Sequence, residues 1–391
     1  MCTAIYREWV GKMFSGSRDR RGLVVVAAAA FLVAMIALAA FVVDVGHWYA
    51  VRGELQNSAD ASAIAAAQRL ATEELVSYDL DYALLLQASR QAASTFAGYN
   101  KVELEGPELD VATDITFGRV DDITDPDSFV PTTDPSQINA VRVRVRKTSA
   151  INGPAMSFFS KIWGYLGLSM SAEATAILSS SIVGFQINSE IGYAKLLPFA
   201  VDIDDWNELV AGNTSDEWRW SSEDNQAYCG EPDGIYETSL YPLENLTAGN
   251  FGTVDIGSPN NSTADLIRQI RYGISQEDLA YLGGKLELGE DGVLTLNGDT
   301  GLSSAIRSAL EEIIGQPRVI PLYSTVEGVG NNATYTIVGF AGIRILDVKL
   351  TGPLSQRRVV IQPAVVVDES ALIGDTPAQS YYVFSVVRLV R

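Results

Sequence analysis

The sequence predicts an α+β protein: an N-terminal transmembrane helix continuing into a helical stalk, then two mixed α+β extracytoplasmic domains with antiparallel sheets. Three observations predict it. Leu23 to Val43 is a run of 21 residues without a charge. Apolar residues then recur at three- and four-residue spacing as far as Leu70. Beyond residue 110 the apolar period falls to two in several segments, as strands require. The implied boundaries are a basic cytoplasmic N-terminus at 1–22, the transmembrane helix at 23–43 and a helical stalk with a second helix at 44–98. A small α+β domain over 99–185 and an α+β domain with a C-terminal β-meander over 186–391 complete the chain.

At about 1.5 Å rise per residue, 21 helical residues span roughly 31 Å, the thickness of a bilayer's hydrocarbon core. A chain in lipid has to satisfy its own backbone polar groups, which a helix does. Arg18, Arg20 and Arg21 precede the run and Asp44, His47, Trp48 and Tyr49 succeed it. The arginines place the N-terminus in the cytoplasm, and the aromatic pair suits the opposite interface. A cleaved secretory signal is the rival reading, with Ala37-Leu38-Ala39 as a small-residue processing site. The run continues through Phe41, Val42 and Val43 without a helix breaker, and its 22-residue lead is long for a signal, so length favours a retained anchor. The reading makes the chain a single-pass membrane protein, with membrane lipid as its first partner.

Charge is unevenly spread. Residues 1–22 carry +3, and the whole chain carries −20, which leaves −23 beyond. An outer part so acidic is soluble and repels nucleic acid, so no nucleic-acid partner is expected. With 47% hydrophobic residues the chain folds instead of behaving as an acidic tail. Cys2 and Cys229 fall on opposite sides of the membrane in this topology and do not pair. Cys229 is expected buried, the usual state of a lone thiol.

From 45 to 74 the helical pattern continues, giving one helix of about 50 residues and roughly 75 Å. Leu55, Ala59, Ala63, Ala66 and Leu70 form a narrow stripe of mostly small side chains suited to close helix contact. Two covers fit it: the protein's own folded part, or a neighbouring protein's helix. Ser77 or Asp79 is placed to cap a second helix over 80–97, stopped by Gly98. Strands are expected at 114–120 and 139–146, then a short helix over 154–166 and a strand over 168–180. In the second strand Arg142, Arg144 and Arg146 face away from the core valines and are expected to meet neighbouring carboxylates. In the last domain Ser262 with Asp265, and Ser275 with Asp278, have the spacing of helix starts. A helix over 302–314 ends at Gly315, and strands over 318–323, 335–350, 358–367 and 381–390 finish the chain.

No combination of residues with catalytic spacing emerges. The single histidine, His47, rules out a Ser-His-Asp triad and His-clustered zinc sites; beside Trp48 it reads as an interfacial residue. No Walker, Rossmann or nucleophile-elbow pattern is present. Asp202, Asp204 and Asp205, and the turn Asn297-Gly298-Asp299, lack the ligand series of a calcium loop and read as solvated loops. The chain is therefore expected to be no enzyme and to hold no cofactor or metal.

Arg20-Arg21-Gly22 before the apolar run, Val43-Asp44-Val45-Gly46, and the segment Leu55-Gln56-Asn57-Ser58-Ala59-Asp60-Ala61-Ser62-Ala63 together resemble the start of TadE/TadG-like Flp (tight-adherence) pilus-assembly proteins. Ile115-Thr116-Phe117-Gly118, Asn139-Ala140-Val141-Arg142-Val143, Phe158-Phe159 and Ser171 to Ala176 resemble the adjoining region of TadG-like proteins, as do segments at 197–200, 249–252 and 338–341. The resemblance implies an inner-membrane protein that assists assembly or anchoring of Tad pili and contacts other Tad proteins or pilin. Some relatives carry a von Willebrand A domain; its Asp-x-Ser-x-Ser metal motif is not met by Asp60-Ala61-Ser62-Ala63-Ile64, so that site is not expected. Pilin-type subunits carry a glutamate five residues after the processing glycine, where this chain has Ala27, which argues against a processed pilin. The function expected is thus non-enzymatic and contact-based. An envelope hydrolase built on the acidic 202–233 region, or a surface adhesin, is the alternative.

Overall fold

The computed structural model describes residues 20–78, 80–123, 125–241, 252–257, 262–298, 304–328, 333–353, 356–374 and 379–390. Its contacts group into two compact units, each assembled from separate stretches of chain. One holds the described residues up to Ala61 with Phe96–Asp110 and Arg144–Glu173; the other holds Ser62–Thr95, Val111–Val143 and Ala174 onward. Arg18 lies outside the described residues.

Helix α1, Arg20–Gln68, is continuous over 49 residues. Its first half is long and apolar enough to cross a membrane, and its large apolar side chains from Val24 to Val43 are 49–68% exposed. Further along, the helix is enclosed: Leu55, Ala59, Ala63 and Ala66 are fully buried and Leu70 nearly so, with Ser58 and Ser62 among them. The chain itself thus covers the stripe. Part of the cover is α2, Tyr82–Tyr99, whose Ser89 Oγ donates to the Ala66 carbonyl at 2.7 Å. Small side chains on α1 permit that approach. The cap of α2 is Asp81, which accepts from Ala83 N at 2.9 Å, not Ser77 as expected; Asp79 lies outside the described residues. Gly98 does not stop the helix, which runs on to Tyr99.

The next element in the chain is a five-stranded sheet. Its order is β2 (Val130–Pro131), β1 (Ile115–Arg119), β3 (Ala140–Lys147), β6 (Met170–Ile177) and β13 (Arg388–Val390). β1 and β3 pair antiparallel from Ile115 with Val143 to Gly118 with Ala140. The alternation seen in 140–147 holds, with Val141, Val143 and Val145 buried. Its arginines find mixed partners: Arg144 pairs with Glu173 at 2.6 Å, whereas Arg142 lies over the Phe129 ring at 4.2 Å.

The helix expected over 154–166 is absent. β4 (Ala155–Met156) pairs with β5 (Gly167–Leu168), and between them only Ser160–Trp163 winds, as a 3₁₀ turn stopped by Gly164 at φ 84°. Glycines at 153, 164 and 167 and Pro154 oppose an uninterrupted α-helix there.

The larger unit centres on β7 (Arg318–Glu327), β8 (Thr334–Lys349) and β9 (Arg358–Pro363), an antiparallel meander as predicted. Both faces are buried, which explains the near-continuous apolar sequence of β7 and β8. Along β7, Ile320 and Leu322 join a core with Trp206, Leu209, Ile270 and Leu310, while Val319 and Tyr323 join a second core with Phe185, Leu286 and Phe340. Helices α3 (Ile203–Val210), α4 (Thr263–Tyr272) and α6 (Arg307–Glu312) cover the first face. Ser262 and Ser275 form capping boxes with Asp265 and Asp278, as their spacing predicted; Ser275 starts α5, Gln276–Ala280. Gly315 at φ 81° admits no side chain, since a Cβ would collide with the Trp220 ring.

Beyond β9 the pairing leaves the simple meander. β11 (Gln379–Tyr381) pairs with β8 in parallel, and β12 (Val383–Ser385) pairs in parallel with β10 (Val366–Asp368). β13 crosses to β6, Arg388 opposite Ile177. Val390 and Ile177 share a small core with Val120, Phe129 and Ala140.

Candidate functional site

A densely bonded polar site surrounds α1 just after the apolar run. Asp44, His47, Trp48, Val51 and Leu55 repeat at helical spacing and form one face. Asp44 is fully buried, His47 and Trp48 half-buried, Tyr49 exposed.

Asp44 acts as a cap for a segment far along the chain. Its carboxylate accepts from the backbone N–H groups of Phe158 at 2.7 Å, Phe159 at 3.1 Å and Ser160 at 2.7 Å, and from Ser160 Oγ at 2.5 Å. These are the donors that the 3₁₀ turn at 160–163 leaves without partners of its own. Burial alone raises the Asp44 pKa, but the Ser160 hydroxyl and the three N–H groups outweigh it and hold the carboxyl at about 2.

One turn on, His47 Nε2 meets Glu103 Oε1 at 2.7 Å, and its ring lies edge-on to Phe158 with centroids 4.8 Å apart. Glu103 also receives Lys147 Nζ at 2.9 Å and Met156 N at 2.9 Å, and Lys147 donates to the Asn152 carbonyl at 3.0 Å. The side chains of Glu103 and Lys147 are 5% and 8% exposed, so this ion pair is nearly dry. Burial raises the Glu103 carboxyl, and Lys147, Met156 N and His47 together bring it below the ordinary carboxylate value. Glu103 and Leu104 form a tight turn with φ of 51° and 74°, a conformation that costs non-glycine residues energy. Glu54 accepts from Glu103 N at 2.8 Å and helps hold it. Trp48 Nε1 donates to the Met156 carbonyl at 3.2 Å, and Gln56 Nε2 to that of Glu173 at 3.0 Å.

In sequence, Asp44, His47, Trp48 and Tyr49 mark a membrane border, and no local pattern joins them to residues 103, 147 and 156–160. Only Val43-Asp44-Val45 hints at it: an acid with apolar neighbours on a helix is out of place unless donors await it. Arg20 and Arg21 lie in the first turn of α1.

Asp202, Asp204 and Asp205 open a helix instead of forming the solvated loop expected of them. Asp202 caps α3, accepting from Asp204 N at 2.8 Å. Asp299 is outside the described residues. Asp216 and Asp233 instead meet Glu237, their ligand oxygens within 4.8 Å of one another, which is a spacing that fits a cation. Each already accepts backbone N–H groups: Asp216 from Asp233 and Gly234, Asp233 from Ile235, Glu237 from Glu217 and Trp218. A cavity of 330 Å³ beside them is lined by Glu237, Trp218, Arg358 and Cys229. Cys229 is exposed, against the burial expected of it, because its strand Gln226–Cys229 belongs to a lone two-stranded hairpin.

Burial, reinforced by the charges of Asp216 and Asp233, pushes the Glu237 carboxyl up to about 7 from an ordinary 4.5. Between those values the folded chain binds a proton that the unfolded chain has released, so stability rises as pH falls from about 7 to 4.5. Thermal unfolding of the solubilised protein should therefore show a higher Tm at about pH 5 than at about pH 7.5. Glu237→Gln should flatten that difference; an unchanged slope in the variant would assign it elsewhere.

The comparisons with known proteins fall on the part of the chain that builds the α1 site. Residues 22–69 match the Flp pilus-assembly TadE/G-like family model, and residues 52–176 match the Tad-like Flp pilus-assembly model. No curated protein matches the chain, and no solved structure does. The matched region contains Asp44, His47, Glu103, Lys147 and Phe158 to Ser160, the residues that bond one another in the site. Over residues 22–176 the chain is thus similar to TadE/G-like Flp pilus-assembly proteins.

Proposed function

We propose that this chain is a non-enzymatic, single-pass component of the bacterial inner membrane that serves Flp/Tad pilus assembly or anchoring through protein contacts. Residues 20–22 lie on the cytoplasmic side and everything after Asp44 outside. The observation that carries the reading is α1 itself: an exposed apolar half runs without a break into a half built into folded protein. Such a helix fixes the height of the folded part relative to a bilayer. The Asp44, His47 and Glu103 contacts then tie that part to the helix close to the end of the apolar run. Partners are expected among other Tad assembly proteins or pilin, on surfaces other than the covered α1 stripe.

Cross-linking in the native host, detergent extraction and capture through a tag placed after Arg391 tests this reading. Recovery of pilus motor, platform or pilin proteins is expected. Recovery of none of them, from correctly inserted protein, overturns the pilus role.

A further inference from the structure

Met156 to Leu168 contains thirteen residues and one charge, Lys161. Its apolar side chains point outward: Ile162 is 76% exposed, Leu166 74%, Tyr165 71% and Phe158 54%. Single exposed apolar residues are ordinary, but a contiguous group implies a cover. Asp44 fixes where this group sits. It is the first charged residue after the apolar run, and it holds the backbone of 158–160 by direct hydrogen bonds. The loop is therefore pinned to α1 at the level where the apolar run ends.

Three further features select lipid as the cover. The apolar surface of α1 continues toward the loop through a groove lined by Val45, Trp48, Tyr49, Arg52, Leu168 and Met170. The loop's aromatic, aliphatic and single lysine residues are those that favour a bilayer interface, and its only charge, Lys161, suits lipid phosphate. Its backbone is prepared for low water: the N–H groups of 158–160 are taken by Asp44, and 155–156 pair with 167–168.

We propose that residues 156–168 form a second membrane contact, a non-spanning wedge that places Ile162, Tyr165 and Leu166 in the phospholipid interface beside α1. The wedge rests on the reading of α1 as an anchor. With two attachments, one spanning and one interfacial, the folded unit is fixed in tilt and rotation as well as in height.

The test is spin-label depth measurement on the full chain, with Cys2→Ser and Cys229→Ser as background, in phosphatidylethanolamine–phosphatidylglycerol vesicles. Labels are placed singly by Val33→Cys, Ile162→Cys and Leu166→Cys, the last two at exposed positions that leave packing intact. The wedge predicts that the labels at 162 and 166 are relaxed by oxygen more than by a water-soluble nickel chelate, at a depth of about 5–10 Å below the phosphates. Labels at 162 and 166 open to the chelate, with that at 33 deep in lipid, overturn the wedge and leave the anchor standing. Labels at 162 and 166 immobilised and shielded from both reagents assign the surface to protein and also overturn it. A label at 33 open to the chelate overturns the anchor, and the wedge with it.

Discussion

Asp44→Ala should free residues 157–163 and raise their amide exchange by an order of magnitude or more, while exchange in β7, β8 and β9 stays as it was. The reason is a count of donors. Three backbone N–H groups and one hydroxyl lose their acceptor together, and no other carboxylate among the described residues is bonded to them. Asp44→Asn keeps one carbonyl oxygen but brings two donors of its own against a ring of donors, so it should release the segment nearly as fully. Hydrogen exchange of wild type and both variants in the same detergent decides the matter, and equal protection in all three would deny Asp44 this role. The pH dependence has a defined sign. With its pKa lowered from 3.8 to about 2, Asp44 stabilises the fold fully above the ordinary value and loses the effect as pH falls through the folded one. The clamp therefore stays closed at any neutral or mildly acid pH.

Glu103→Ala should cost roughly 3 kcal/mol, because it strands the Lys147 ammonium, 8% exposed, with the Asn152 carbonyl as its remaining hydrogen-bond acceptor. Removing both charges is gentler than removing one. Glu103→Ala combined with Lys147→Met should recover more than half of the loss, a coupling that a double-mutant cycle in denaturant measures directly. A cost below about 1 kcal/mol for the single change, or no recovery in the double, would show that the pair does not govern this unit. Glu103 also holds two non-glycine residues at positive φ, so part of its loss should be met by relaxation of the 103–104 turn.

Much of the fold is legible in the sequence where the signal is periodic. The 49-residue helix, the alternation in 140–147, the capping boxes at 262 and 275, and the meander from 318 to 363 arise from local pattern. The features that resisted reading depend on partners far along the chain. Between Pro154 and Gly164 the residues are helix-compatible, but Asp44 and the pairing of 155–156 with 167–168 set their shape. His47 and Glu103 are 56 residues apart, Asp44 and Ser160 116, and no local period reports either meeting. Likewise the carboxylates of 216, 233 and 237 converge through turns, whereas the denser triplet at 202–205 only caps a helix. Charged residues in a row are a feature of sequence; a site is a feature of topology.

The crossing of β13 to β6 bears on how the molecule comes into being. Residues 388–390 complete a sheet whose other strands lie between 115 and 177, so that sheet remains open-edged while the long intervening chain is synthesised. Pairings so remote in sequence close late, after the loop entropy of the intervening chain has been overcome. Until then β6 offers an unpaired edge, the kind that invites association with the wrong strand. A nascent chain of this protein is thus most exposed to misassembly before residues 388–390 have emerged and paired, and chaperone dependence should be greatest in that interval.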